Sequence, residues 1–354
     1  MCNIAGYIGS REAAPILAEM MKRQEGFGGG YYTGIATVSN GRLYTDKVVG
    51  DMQNFLSETN GIHFPGNIGF IHSRSKSGGG VEWGHPFVTA KKDLAYIANG
   101  CAGAFLTPEN AKKRCEYACM LAEKGYHFGS KVQGAIGDYP LLPDGNAIHS
   151  SDLMCQYIAY LIDSGMAPDA AMSKANSDMP SEVVGLILCE QSPDSIFVTR
   201  VNYPMMIGIT DDGDTYLATT ALAFPEDVKF RTVEPLPPCT TCEVFKGGYR
   251  TSLHPAEIEG VMPLTPLLWH RVYERAETVM SNWTEQPPCV QDVIDACEDI
   301  WGKGNVVQSP SLIYEVLRSF RDEGRLTIVP TPAEGAFEGY TTSNFRVCLK
   351  TKPE

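Results

Sequence analysis

The chain has 354 residues, 43% hydrophobic and 20% charged, with a formal net charge of −13. That length allows one large domain and a smaller one. The acidic balance excludes nucleic acid or an anionic membrane as the main partner, because both bind clustered positive charge. The sequence MCNIAGYIGS lacks secretory features, no apolar run approaches the roughly 20 residues of a membrane span, and 11 scattered cysteines fit reduced thiols. We therefore expect a cytoplasmic protein.

In chain order, the first 250 residues are predicted to form strands, then helices, then strands again. The early elements are strands at 3–9, 31–38, 42–49, 67–73 and 94–100, with a helix at 12–24. Helices follow at 108–124 and 151–164, and further strands at 183–190, 195–200, 205–210, 215–220, 228–236 and 242–248. This order predicts two antiparallel sheets with helices packed outside them, and not an alternating parallel fold.

The sequence changes character near residue 251, where the proline-containing stretch HPAEIEGVMPLTP is predicted to be a linker. Helices are predicted at 268–283, at 289–301 and from Ser309, as N-cap, to about Gly324, followed by a strand at 325–332. The order is winged-helix-like, so we predict a small helical domain over 251–354. Its arginines alternate with carboxylates, which favours a protein-docking or dimerisation module over a DNA-binding one.

Cys2 follows the initiator methionine directly. Removal of Met1 would give Cys2 a free α-amine beside its thiol. Such an amine has an ordinary pKa near 8 and can act as the base for its own side chain, without a separate histidine. Taken alone, a cysteine at position 2 is weak evidence, because a single residue matches by chance.

Four short patches give Cys2 a context. They occur in order as CNIAGYIG at 2–9, IHSRSKSGG at 71–79 with GHPF at 84–87, ANG at 98–100 and SDLMCQYIAYLI at 151–162. Together they resemble the glutaminase domain of the class II glutamine amidotransferases, a family that includes glucosamine-6-phosphate synthase, glutamate synthase, amidophosphoribosyltransferase and asparagine synthetase. The resemblance implies an α+β fold over residues 1–250, a four-layer αββα sandwich of the N-terminal-nucleophile (Ntn) hydrolase type.

The resemblance also implies roles for residues around Cys2. Arg74 would bind the α-carboxylate of glutamine through paired hydrogen bonds, with Ser77 as a second carboxylate ligand, and Asp152 would pair with the ammonium group. The Asn99 side-chain amide and the Gly100 backbone N–H would form the oxyanion hole. Each residue also has an ordinary structural explanation: a solvated arginine, a plain Asn-Gly turn, or a helix cap.

Three departures from the family pattern leave the subfamily open. Asn3 stands where most relatives have glycine, and Ser75 replaces a tryptophan. Residues 26–30 (GFGGG) replace an Arg-Gly-x-Asp segment and look closer to archaeal-type glutamate synthase subunits. Without a Gly-Lys-Ser/Thr ending these glycines form no phosphate loop, although they permit close backbone approach.

The histidines and the remaining cysteines suggest structural roles. His72 and His85 match family histidines and are expected to shape the pocket by hydrogen bonds and not to act as bases. Cys239 and Cys242 form a lone CxxC, which is a weak metal signal. We expect these two thiols to lie at the end of an edge strand, and we predict no metal.

The resemblance therefore predicts hydrolysis of glutamine to glutamate and ammonia through a Cys2 thioester, with no cofactor. About 100 residues remain after the glutaminase domain, too few for two acceptor domains. A separate partner would then carry the ammonia acceptor, and self-association stays open. Two alternatives remain: an Ntn hydrolase of another amide, and an inactive regulatory or scaffold protein that retains Met1.

Overall fold

A computed structural model describes residues 2–76, 78–253, 261–301 and 306–350. The described strands are β1 (Asn3–Ile8), β2 (Tyr32–Ser39), β3 (Arg42–Val49), β4 (Ile68–Arg74), β5 (Phe87–Val88), β6 (Leu94–Cys101), β7 (Val132–Gln133), β8 (Asn146–Ala147), β9 (Glu182–Cys189), β10 (Ile196–Arg200), β11 (Met206–Thr210), β12 (Thr215–Ala218), β13 (Phe230–Pro235), β14 (Thr240–Phe245), β15 (Gly248–Leu253), β16 (Leu326–Glu334) and β17 (Thr341–Leu349). The described α-helices are α1 (Ala13–Lys22), α2 (Met52–Glu58), α3 (Pro108–Glu123), α4 (Ser150–Asp163), α5 (Pro168–Asp178), α6 (Pro266–Ser281), α7 (Val290–Asp295), α8 (Glu298–Trp301) and α9 (Ser309–Asp322). No helix among these residues is long and apolar enough to cross a membrane.

Two antiparallel sheets dominate the part of the chain that the structure describes. One has the strand order β13-β11-β12-β1-β4-β2-β3, and the other has the order β15-β14-β10-β9-β6-β5. All pairings between neighbouring strands in both sheets are antiparallel. The predicted α+β class with two antiparallel sheets is confirmed.

Alternation along β1 shows how the layers form. Ile4 and Ile8 belong to a core between the two sheets, together with residues of β6, β9 and β10. Ala5 and Tyr7 belong instead to a core on the opposite face, under α1 and α2. Because successive side chains of a strand point to opposite faces, a strand buried on both sides reads as a nearly continuous apolar run.

The outer face of the six-stranded sheet is covered by α3, α4 and α5, which complete a helix–sheet–sheet–helix arrangement. Helices α2 and α5 were not predicted from the sequence. Their short apolar patterns are interrupted by polar residues, and tertiary packing of Phe55, Met172 and Ala175 supports them. The six-stranded sheet also gains the unpredicted strand β15, which pairs with β14.

The C-terminal region packs four described helices and a hairpin around a core of its own, to which Phe27 and Leu222 of the sandwich contribute. Two expectations need correction here, and one strand was not predicted. The helix predicted at 289–301 divides into α7 and α8. The N-cap of α9 is Gln308, one residue before the predicted Ser309. A second strand, β17, pairs with β16. The predicted linker falls largely on residues 254–260, outside the described ranges.

The glycine-rich segment at 26–30 is where the sandwich, β4 and the C-terminal hairpin meet. A Cβ on Gly26 would lie 2.3 Å from the Phe345 ring of β17, and one on Gly29 would lie 2.6 Å from Ser73 Oγ of β4. The Gly30 N–H donates to Ser73 Oγ at 2.7 Å. Close backbone approach, as expected from the sequence, is therefore the observed use of these glycines.

Candidate active site

Cys2 lies at the start of β1, between the ends of β4 and β6. Its backbone N–H donates to Asn99 Oδ1 at 3.1 Å. Its sulfur accepts a hydrogen bond from the Ser75 backbone N–H at 3.4 Å and lies 3.5 Å from Ser75 Oγ. Strands β1 and β4 are adjacent in one sheet and β6 belongs to the other, so the sandwich itself brings these three residues together.

The environment of the Cys2 thiol favours the thiolate. Burial raises the pKa of this thiol, but interaction with the His72 imidazole and the hydrogen bond from Ser75 lower it to about 6. A thiol with this pKa is largely ionised at neutral pH, and the thiolate is the nucleophilic form. Ser75, the departure from the family pattern, is thus a direct neighbour of the sulfur.

Asn99 and Gly100 lie near the end of β6, beside Cys2. Asn99 is 1% exposed, and its Nδ2 makes no hydrogen bond with any described residue. Gly100 has a φ of +137°, and a Cβ there would lie 2.1 Å from the Glu182 carbonyl oxygen, so glycine is required. A buried amide N–H without an acceptor lowers the stability of the fold. It is therefore suited to donate a hydrogen bond to an oxygen of a bound ligand.

Arg74 ends β4 and lines the same cleft as Cys2. Its guanidinium donates to the Gly78 carbonyl oxygen at 3.1 Å and lies over the rings of Tyr32 and Trp83, with centroid distances of 4.9 and 5.9 Å. Stacking on two rings holds the guanidinium in a defined place. Ser77, the predicted second ligand for a carboxylate, lies outside the described residues.

Asp152 lies behind the cleft wall, in the first turn of α4. It is 1% exposed, its Oδ2 accepts from the Ser130 N–H and hydroxyl at 2.8 Å each, and its Oδ1 accepts from Gln156 at 3.1 Å. Burial raises the pKa of Asp152 although these hydrogen bonds oppose the increase. The structure thus does not bring Asp152 to the surface of the cleft, which is lined instead by Ser150, Ser151 and Asp138.

Three histidines form a buried row beside Cys2. The rings of His72 and His85 are 4.0 Å apart, and those of His85 and His149 are 5.5 Å apart. His72 Nε2 lies 2.9 Å from the Ala98 carbonyl oxygen, which agrees with the predicted hydrogen-bonding role. Neither ring nitrogen of His85 has a described partner, so hydrogen bonding does not explain its place. Burial, reinforced by the neighbouring His72, lowers the pKa of His85 well below its ordinary value.

The cleft that contains Cys2 has a volume of about 560 Å³. Sequence reasoning missed several of its lining residues, among them Arg114 of α3, Tyr139, His149 and Ser181. None of these lies in a recognisable patch, and they meet only because α3 and the segment before α4 cover the six-stranded sheet. Tyr139 and His149 both contact the ring of Trp83. These contacts join distant parts of the chain, so no local sequence pattern could have predicted them.

Neither cysteine of the CxxC pair lines this cleft. Cys242 is buried in β14, between β10 and β15, so the expectation of an edge strand is wrong. Its thiol has a pKa raised by burial. Within the described ranges, no group of three or more histidine, cysteine, aspartate or glutamate side chains could hold a metal ion.

No family model matches the chain. Curated relatives do: the glutamine–fructose-6-phosphate aminotransferase of Zymomonas mobilis is 26% identical over 229 residues, 63% of this chain and 32% of the relative. That of Pyrococcus horikoshii is 25% identical over 230 residues, 63% of this chain and 33% of the relative. The chain is a homologue of the class II glutamine amidotransferases. It spans about a third of the length of these curated relatives.

Solved structures of this class share the fold. The glutamine phosphoribosylpyrophosphate amidotransferase of B. subtilis superimposes with a TM-score of 0.57 at 16% identity, covering 81% of this chain and 60% of the other. A second structure, an allosteric regulatory enzyme of purine biosynthesis, gives 0.58 at 15% identity, covering 89% and 63%. The described sandwich of this class II amidotransferase homologue therefore shares the fold of these two solved structures.

Proposed function

We propose that the chain hydrolyses the side-chain amide of glutamine to glutamate and ammonia, with Cys2 as nucleophile. The supporting observation is the pairing of Cys2 with Asn99: one amide atom of Asn99 accepts from the Cys2 nitrogen, and the other is a buried donor without a described partner. The first contact would orient the α-amine after loss of Met1. The second would stabilise the oxyanion.

The proposed reaction uses groups of this chain alone. The Cys2 thiolate attacks the amide carbon, and the Asn99 Nδ2–H and Gly100 N–H stabilise the negative oxygen. The carbon–nitrogen bond then breaks, the nitrogen leaves as ammonia with a proton from the α-ammonium group, and a γ-glutamyl thioester remains on Cys2. Water, deprotonated by the α-amine, hydrolyses the thioester to glutamate and restores the thiol.

For substrate binding, Arg74 would hold the α-carboxylate, with Ser77 as a second ligand. The ammonium partner predicted from the sequence is Asp152, whereas the carboxylate that lines the cleft is Asp138. Single substitutions to asparagine separate the two. We expect substitution of the residue that binds the ammonium group to raise KM for glutamine by about 10-fold or more. Substitution of the other residue should leave KM near the wild-type value.

We propose further that residues 1–250 form the glutaminase unit and 251–354 a winged-helix-like module. The described part of that module has the order α6–α9 followed by the β16–β17 hairpin. As expected from the sequence, we propose that the ammonia passes to an acceptor site on a separate subunit. Isolation of the native protein together with a synthase or transferase would support this arrangement, and its isolation without one would count against it.

The activity is tested by measuring ammonia release from glutamine. The protein is first checked by mass spectrometry for loss of Met1, and it is then compared with a Cys2→Ala variant. We expect the processed wild type to release ammonia and the variant to release none. Retention of Met1 with no turnover would favour the inactive scaffold, and equal release by both proteins would contradict the mechanism.

A further inference from the structure

The cleft extends beyond the atoms that glutamine needs. At about 560 Å³ it falls within the range of about 300–1,000 Å³ that takes drug-sized ligands. Past Gly100 the wall continues through Cys101 to the 3-10 turn Gly103–Phe105 and Leu106, which precede α3. This extension is mostly apolar, with one cation, Arg114, projecting from α3.

Arg114 lies where β6 ends and β9 begins. Cys101 pairs with Glu182 in the last rung of that ladder, and Arg114 Nη2 donates to the Pro180 carbonyl at 2.6 Å and to Ser181 Oγ at 3.2 Å, just before β9. Arg74, in contrast, ends β4 in the other sheet. The two guanidinium groups therefore approach the cleft from opposite layers, with the oxyanion donors between them along β6.

Arg114 is a buried cation without a counter-ion. It is 6% exposed, and among the described ion pairs no carboxylate lies within 4.0 Å of it. Burial lowers the pKa of Arg114, but a guanidinium remains charged in proteins. An unpaired buried charge is unfavourable, and an anion in the cleft would offset that cost.

We propose that Arg114 forms a second subsite, which binds an acidic group carried on the amide nitrogen of the substrate. This inference rests on the proposed function of Cys2. The substrates would be γ-glutamyl amides with a carboxylate on the departing amine. Cys2 attacks the γ-carbonyl carbon, the carbon–nitrogen bond breaks, and the amine leaves with a proton from the α-ammonium group. Water then releases glutamate from the thioester.

The test compares two chromogenic substrates, γ-glutamyl para-nitroanilide and its ring-carboxylated analogue. A charge-assisted hydrogen bond to the ring carboxylate is worth roughly 1.5–3 kcal/mol, so we expect wild-type kcat/KM to favour the carboxylated anilide by about 10-fold to 100-fold. Glutamine is the third substrate. It reports on the proposed function independently, because its amide nitrogen carries no substituent.

Three variants isolate Arg114. We expect Arg114→Gln to bring the ratio of the two anilides close to one, and Arg114→Lys to retain part of the preference through its charge. Lys113→Gln removes an exposed cation from the same helix, where it pairs with Glu109, and should leave the ratio at its wild-type value. Because the readout is a ratio within each protein, a partly unfolded preparation does not change it.

The outcomes separate the two proposals. A wild type that hydrolyses glutamine but treats both anilides alike, or cleaves neither, overturns the Arg114 subsite and leaves the proposed function standing. The same holds if Arg114→Gln keeps the full preference. A processed wild type that releases no ammonia from glutamine overturns the proposed function and, with it, the subsite.

Discussion

Two buried arginines, one in the cleft and one in the C-terminal region, differ in whether carboxylates of the chain neutralise them. Arg325, before β16, is 7% exposed and contacts the carboxylates of Glu277 and Glu323. Arg114, in the cleft, is 6% exposed and has neutral oxygen acceptors as its described partners. At equal burial, two carboxylates of the chain neutralise Arg325, whereas no described carboxylate neutralises Arg114. The Asn99 Nδ2 donor beside Cys2 likewise has no described hydrogen-bond partner.

The largest effect on catalysis is expected for substitution of Asn99, whose Nδ2 has no described partner. Asn99→Ala removes one of the two proposed oxyanion donors and should lower kcat for glutamine hydrolysis by about 100-fold to 1,000-fold, with little change in KM. Asn176→Ala is the matched control, since Asn176 is an equally buried amide that donates within α5. Steady-state ammonia release measures both. A loss of similar size in the control would show that the effect is general destabilisation.

The second effect concerns stability and tests the comparison of the two arginines directly. Arg325→Met leaves two partly exposed carboxylates without their cation and should lower the free energy of unfolding by about 1–3 kcal/mol. Arg114→Met removes a buried cation that lacks a counter-ion and should change it by less than about 1 kcal/mol. Urea titrations of both variants provide the measurement. Equal losses would mean that Arg114 is structural.

A third effect distinguishes the thiol of Cys2 in the cleft from the buried thiol of Cys155. Cys2 has a pKa lowered to about 6, whereas burial raises the pKa of Cys155 well above its ordinary value. Alkylation of Cys2 should therefore follow a midpoint near pH 6, falling as the pH drops below it because the thiol becomes protonated. Cys155 should stay unmodified across the same range. Mass spectrometry of the two peptides after iodoacetamide treatment gives both profiles, and a Cys2 midpoint near 9 would refute the lowered pKa.

The smallest effect belongs to Ser75. Its hydroxyl lies 3.5 Å from the sulfur, but its backbone N–H also donates to that sulfur and survives substitution. Ser75→Ala should therefore raise the midpoint of Cys2 alkylation by less than about one pH unit. Ser57→Ala, on the exposed face of α2, serves as the control. An unchanged midpoint would assign the stabilisation of the thiolate to the backbone and His72 alone.

The sequence predicted secondary structure correctly where a local pattern of apolar residues determines it. Alternating and continuous apolar runs predicted most strands of both sheets, and the four patches identified the residues around Cys2. It did not predict the elements that form only because distant parts of the chain pack against them. Helix α5 is held by Ala171 and Met172 in the core over the six-stranded sheet, and strand β17 exists because β16 pairs with it.

The candidate site divides in the same way. Cys2, Arg74, Asn99 and Gly100 lie on strands whose order the fold fixes, so resemblance could bring them together. Arg114 reaches the cleft from a helix whose place on the sheet depends on long-range contacts, and nothing in the local sequence distinguishes it from Lys113. The position of Asp152 behind the wall follows from its hydrogen bonds with Ser130, which lies 22 residues away.

The central claim is that the Cys2 sulfur attacks a γ-glutamyl carbonyl held by Asn99. Trapping with a diazoketone analogue of glutamine, followed by peptide mass spectrometry of the processed protein, tests it directly. The account predicts one adduct, on Cys2, that excess glutamine suppresses and that Asn99→Ala slows. Absence of any adduct, or labelling of Cys101 in preference to Cys2, would contradict it.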